Sequence, residues 1–139
     1  MSTRAAVYAR ISSDRDDTQV GVADQVRECR RLAADLGWEV IEPPYVDNDI
    51  TAADPAKKRP EYERMVRDIK AGRVDAVVVM VEDRLHRQPI ELEQFVQACA
   101  DAGMTTLASR RGGITNLADP DALMLLRFRA AWQPVRSRS

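Results

Sequence analysis

Apolar and polar positions switch repeatedly between a period of two and a period of 3.6 along the chain, which predicts alternating strands and helices. Ala5–Ala9 reads as a short buried strand that gives way to a polar loop at Arg10–Thr18. Between Val20 and Leu36, the apolar residues Val22, Val26, Cys29, Leu32, Ala33 and Leu36 form one helical stripe, closed by Gly37. Trp38–Ile41 is a second strand, followed by Pro43–Pro44 and an acidic loop at Asp47–Asp54. A second helix spans Pro60–Ala71, with Tyr62, Met65, Val66 and Ile69 on one face and Gly72 at its end. Asp75–Val81 is the strongest strand, apolar on both faces as a central parallel strand must be. Pro89–Ala102 is a third helix with proline in its first turn, and Met104–Ala108 a fourth strand. Asp119 caps a last helix that opens at Pro120 and runs through Leu123, Leu125, Leu126 and Phe128.

This order predicts a three-layer α/β fold: a mostly parallel sheet of four to five strands with helices on both faces. In such sheets a site forms beyond the carboxyl ends of the strands, where the strand order reverses. The loop after strand 1 is R-I-S-S-D-R and the loop after strand 3 is E-D-R-L-H-R. They meet at a switch point if strands 1 and 3 are neighbours.

With 139 residues the chain has room for one such core. Its 45% apolar and 31% charged residues suit a soluble globular domain, and no apolar run approaches the roughly 20 residues that span a bilayer. The first ten residues lack a secretory apolar region. Cys29 and Cys99 sit in helix-patterned segments without metal-ligand spacing, so no zinc site or disulfide framework is expected, and a reducing cytoplasm is the expected home. Net charge is −1, yet its distribution is uneven. Acids crowd 14–17, 42–54 and 61–68, whereas arginines cluster at 84–87, 110–111 and 127–138. A local arginine cluster can grip one phosphate on a nearly neutral molecule. Affinity for a long DNA site would then need another domain.

Two short motifs sharpen the picture. Y-A-R-I-S (8–12) resembles the opening signature of the resolvase/invertase and large serine integrase family, the serine recombinases. D-R-L-H-R (83–87) resembles that family's second signature, D-R-L-x-R, and Gln25 and K-K-R-P (57–60) fall between the two in family order. The resemblance runs from about Arg4 to about Leu126. It implies a resolvase-like, Rossmann-like domain that cuts and rejoins DNA through a covalent 5′-phosphoserine link, without cofactor or metal. By the same resemblance Ser12 is the nucleophile, Arg10, Arg84 and Arg87 bind the scissile phosphate, and Arg59 assists. Asp83 would orient an arginine or exchange a proton. Gln25, and Gln19 less directly, would hydrogen-bond the phosphate or position Ser12. DNA is the implied partner, with a homodimer or tetramer in the full-length family.

The residue types fit that chemistry. A serine hydroxyl is a weak nucleophile until its proton is taken or its alkoxide stabilised. Attack on a phosphodiester builds charge on the non-bridging oxygens, and fixed guanidiniums answer it because they stay charged and fork onto phosphate. Plainer readings stand beside each residue. Ser12 and Ser13 are also ordinary turn residues, and Ser13 is a rival nucleophile. Arg84 and Arg87 could be a solvated face or pair with Glu82 or Asp83, and Arg59 belongs to a K-K-R loop. His86 reads as structural, and both cysteines as packing residues.

Three departures matter. Asp16 stands where many family members carry glutamine, and Gln19 could replace it from a longer loop. Asp68 stands near the position of the small resolvases' active-site lysine, with Lys70 two residues on; this and R-Q-P-I-E-L favour the large serine integrase branch. Arg127–Ser139 lacks the alternating pattern of the family's long last helix, and Pro134 would break one. The chain is therefore read as a catalytic domain at 1–126 and a divergent basic tail at 127–139, with dimerisation weakened. Two rivals remain: a non-catalytic remnant that pairs with full-length recombinase, and a phosphoacceptor signalling domain. The second needs an acidic pair at the end of strand 1 to hold Mg²⁺, where this chain has Arg10 and Ser12. No G-x-G-x-x-G follows any strand, which argues against a dinucleotide enzyme.

Overall fold

The computed structural model describes residues 3–11, 21–48, 60–80, 89–110 and 112–131. In chain order its elements are β1 (Arg4–Ile11), α1 (Val22–Asp35), β2 (Glu39–Val40), β3 (Tyr45–Asn48), α2 (Pro60–Lys70), β4 (Ala76–Val79), α3 (Pro89–Ala102), β5 (Thr106–Ser109), β6 (Gly113–Asn116) and α4 (Pro120–Ala131). The sheet runs β2-β1-β4-β5-β6, with β3 also paired to β1. Every pairing is parallel except β5 with β6.

A two-residue period divides the central strands between two cores. Ala5, Val7, Ala76, Val78 and Ala108 pack with Cys29 and Ala33 of α1. Ala6, Tyr8, Val77, Val79 and Leu107 pack on the opposite face, against Met65 and Ile69 of α2, Leu92 and Phe95 of α3, and Leu126 of α4. Helices therefore cover both faces, as the sequence predicts.

Six strands replace the expected four to five, for two physical reasons. The second strand is interrupted at Pro43–Pro44, which supply no N–H to a ladder. It resumes as β3, so Asp47 lies in a strand rather than an acidic loop. The missed edge strand β6 shows an inverted pattern: Thr115 is buried while Ile114 is 55% exposed, so hydrophobicity gives no inward signal. Strand β1 also extends through Arg10 and Ile11, which polarity had placed in a loop. Gly37 ends α1 with φ of +77°, the left-handed conformation expected of that position. At α4 the Asp119 carboxylate accepts the Asp121 N–H at 3.1 Å, the predicted cap. The helix continues past Leu126 to Ala131, with Met124, Leu125 and Phe128 exposed.

Both cysteines are fully buried, and burial pushes each thiol up from 9.0 to about 12. A raised value means that the folded state favours the neutral thiol. Its contribution to stability is complete below pH 9 and drains away as pH climbs towards 12. The expected result is that neither Cys29 nor Cys99 reacts with iodoacetamide at pH 8 in native protein, while both react in urea; rapid native alkylation would contradict this burial.

Candidate active site

The strand order reverses between β1 and β4, the position at which open parallel sheets form their sites. β1 ends at Ile11, directly before Ser12, and β4 ends at Val79, upstream of Asp83–Arg87. Strands 1 and 3 of the sequence reading are thus adjacent, paired through Ala5–Val7 and Ala76–Val78. Ser12, Arg59, Asp83, Arg84 and Arg87 lie outside the described residues, as do Ser13, Gln19 and His86.

The two described candidates, Arg10 and Gln25, come together. Gln25 on α1 is 2% exposed, and its Oε1 accepts the Arg10 N–H at 3.4 Å while its Nε2 donates to the Arg10 carbonyl at 3.1 Å. The ladder explains why this pairing is needed. The Arg4 carbonyl accepts the Asp75 N–H beside β4, whereas the Ala5 carbonyl accepts the Ile41 N–H beside β2, both at 2.8 Å. Even-numbered residues of β1 therefore turn their peptide groups towards β4. The last described residue of β4 is Val79, and buried peptide groups need partners. The Gln25 amide supplies them to both the N–H and the carbonyl of Arg10.

Asp47 is a buried carboxylate beside the site that the sequence pattern had placed in an acidic loop. It stands opposite Arg10 in the β1–β3 register and is 4% exposed. Its Oδ2 accepts the Tyr8 hydroxyl at 2.8 Å and the Tyr62 N–H at 2.9 Å, and its Oδ1 accepts the Glu61 N–H at 3.0 Å. Glu61 and Tyr62 follow Pro60 in the first turn of α2, where N–H groups lack helical acceptors. Asp47 thus caps α2 from another strand, and a carboxylate at that end also suits the helix dipole. It links the end of β1 to the helix that begins one residue after Arg59. The usable signal was Y-V-D after the prolines, which places Tyr45 and Asp47 on one strand face. Asp47→Ala would remove the carboxylate that accepts from two helix N–H groups and the Tyr8 hydroxyl, at a cost of about 3 kcal/mol. Urea unfolding checks this, and a loss below about 1 kcal/mol would contradict the cap.

The departure at Asp68 also has a structural account. Its carboxylate accepts the Tyr45 hydroxyl at 2.5 Å and lies 3.4 Å from Arg73 and 3.9 Å from Arg64. The Arg64 guanidinium sits 4.2 Å above the Tyr45 ring. Burial, followed by the bond to Asp68, pushes the Tyr45 hydroxyl up to about 12. Asp68 is engaged in packing α2 onto β3.

Among the described residues no cluster of His, Cys, Asp or Glu could hold a metal ion, and no helix is long and apolar enough to cross a membrane. The described geometry provides a buried arginine at a strand end beside the switch point, its main chain held by Gln25.

Comparison with known proteins agrees with this fold. No curated protein matches the chain. Among solved structures, the N-terminal catalytic domain of TP901-1 integrase is similar with a TM-score of 0.71 and 20% identity, over 91% of this chain and 90% of that one. A resolvase family site-specific recombinase from Streptococcus pneumoniae gives a TM-score of 0.72 and 20% identity, over 91% and 83%. The C-terminal catalytic domain of ISC1926 TnpA, an IS607-like serine recombinase, gives 0.60 and 21%, over 88% and 75%. At such identities these likenesses show the fold. The model of the family described as "Resolvase, N terminal domain" matches residues 5–138, nearly the whole chain, and the protein therefore belongs to the resolvase N-terminal domain family.

Proposed function

We propose that this domain performs site-specific DNA recombination, cutting and rejoining strands through a covalent 5′-phosphoserine intermediate. One observation carries the reading: β1, whose last residues Tyr8–Ile11 begin Y-A-R-I-S, and β4, the strand that precedes D-R-L-H-R in the chain, are parallel neighbours on the two sides of the sheet's switch point. Ser12 Oγ attacks the scissile phosphorus, an Oγ–P bond forms, and the P–O3′ bond breaks as the 3′ oxygen leaves with a proton. Rejoining is the reverse, so the energy of the phosphodiester is kept without cofactor or metal.

Arg10, Arg84 and Arg87 hold the non-bridging oxygens as their charge grows, and Arg59 assists from the start of α2. Asp83 orients one of these guanidiniums or exchanges a proton. Gln25 acts as a positioning residue, because both arms of its amide hold the Arg10 main chain two residues before Ser12. The Asp68 departure and R-Q-P-I-E-L support the large serine integrase branch. DNA is the partner, and the cytoplasm the site of action; the homodimer or tetramer of the full-length family is weakened here by the divergent C-terminus.

Covalent capture tests the reading. Incubated with nicked duplexes of mixed sequence, the protein is expected to give a species that migrates slowly on a denaturing gel and is removed by nuclease. A preparation that binds these duplexes yet never yields that species would overturn the cleavage chemistry and leave a non-catalytic remnant.

A further inference from the structure

The β5–β6 hairpin carries an arginine, Arg110, that the proposed chemistry does not use. Arg110 and Gly112 lie at its tip, between the paired residues Ser109 and Gly113. Gly113 has φ of +78°, and the Gly112 N–H donates to the buried Ser109 Oγ at 2.6 Å. The Arg110 N–H donates to the Val79 carbonyl at 3.1 Å, so the tip is stitched to the last residue of β4. Because β1, β4 and β5 are parallel, this tip lies at the sheet end where β1 and β4 finish, at Ile11 and Val79. Two strand spacings separate it from β1, on the order of 10 Å. The Arg110 side chain is 52% exposed and meets Glu28 of α1 through one contact, Nε to Oε1 at 3.3 Å.

An exposed single-contact ion pair contributes only about 0–1 kcal/mol, so a better anion can take Arg110 over. A DNA phosphate qualifies, since guanidinium and phosphate form forked, charge-assisted bonds. Phosphates recur about every 3.4 Å of axis along one DNA strand, so a phosphate a few steps from the scissile one falls within the tip's reach. We propose that Arg110, on the anchored β5–β6 tip, is a further DNA-backbone contact that grips a phosphate flanking the scissile one, with Glu28 as the internal anion the phosphate displaces. This rests on the recombinase reading and adds a binding residue to its site. The tip sets register on the backbone and reads no base.

The test is equilibrium binding of a labelled mixed-sequence duplex across a salt series, for wild type, Arg110→Ala, Glu28→Gln and the double variant. Arg110→Ala is expected to weaken binding at every sequence and lower the log–log salt slope by about 0.9, one phosphate's worth. Glu28→Gln is expected to bind more tightly than wild type, which a merely structural ion pair would not produce. Adding Arg110→Ala to Glu28→Gln should again remove about 0.9 of slope, separating the phosphate contact from the unmasked carboxylate. Wild-type affinity and slope in Arg110→Ala, or no gain in Glu28→Gln, would overturn the inference while leaving the recombinase reading standing. Absence of salt-dependent binding by the wild type would overturn both.

Discussion

Arg10→Lys is expected to slow covalent capture of DNA by about a hundredfold or more, the usual cost of losing one fixed transition-state donor. Arg10 is 6% exposed at the end of β1, with its main chain held by Gln25 and its register position opposite Asp47. Lysine keeps the positive charge and most of the stem but loses the planar fork that meets two phosphate oxygens at once. The substitution therefore separates geometry from charge. Single-turnover adduct formation measures the effect, and thermal melting of the same variant shows whether the fold has survived. A lysine variant that reacts at the wild-type rate would mean that charge alone suffices or that the phosphate lies elsewhere.

The second large effect concerns the nucleophile. Ser12→Ala removes the only oxygen that the proposed chemistry can join to phosphorus, and adduct formation should vanish. Ser13→Ala should retain it. The asymmetry follows from the R-x-S spacing of the opening signature, in which Ser12 directly follows Ile11, the last residue paired to β3. DNA binding by Ser12→Ala should persist, which separates failed chemistry from failed recognition.

Much of this architecture is legible in the chain, and the failures have physical causes. β4 and its neighbours announce themselves because central parallel strands are apolar on both faces, and Val77 and Val79 do face one core while Val78 faces the other. Glycines and prolines mark the helix ends well, as at Gly37 and Pro120. What misleads is polarity inside strands. Arg10 and Asp47 look like loop residues, yet each is buried in a strand because a partner satisfies its neighbourhood: an amide for the Arg10 peptide groups, and three donors for the Asp47 carboxylate. Such pairings join residues 15 apart or more in some cases and 14 apart in others, and no local pattern encodes them. On α4, Leu125 and Phe128 share the hydrophobic pattern but not the core, which takes Leu126. Of the candidate site, the two signatures and Gln25 could be found by motif, whereas Asp47 and Arg110 required the sheet.

The account turns on where DNA becomes attached. Tandem mass spectrometry of the trypsin- and nuclease-treated adduct reads this directly, because cleavage after Arg10 and Arg15 isolates residues 11–15. The expected result is a nucleotide phosphate on Ser12 Oγ, with Ser13 unmodified. Finding the phosphate on Ser13, or on a peptide from anywhere else in the chain, would contradict the proposed site.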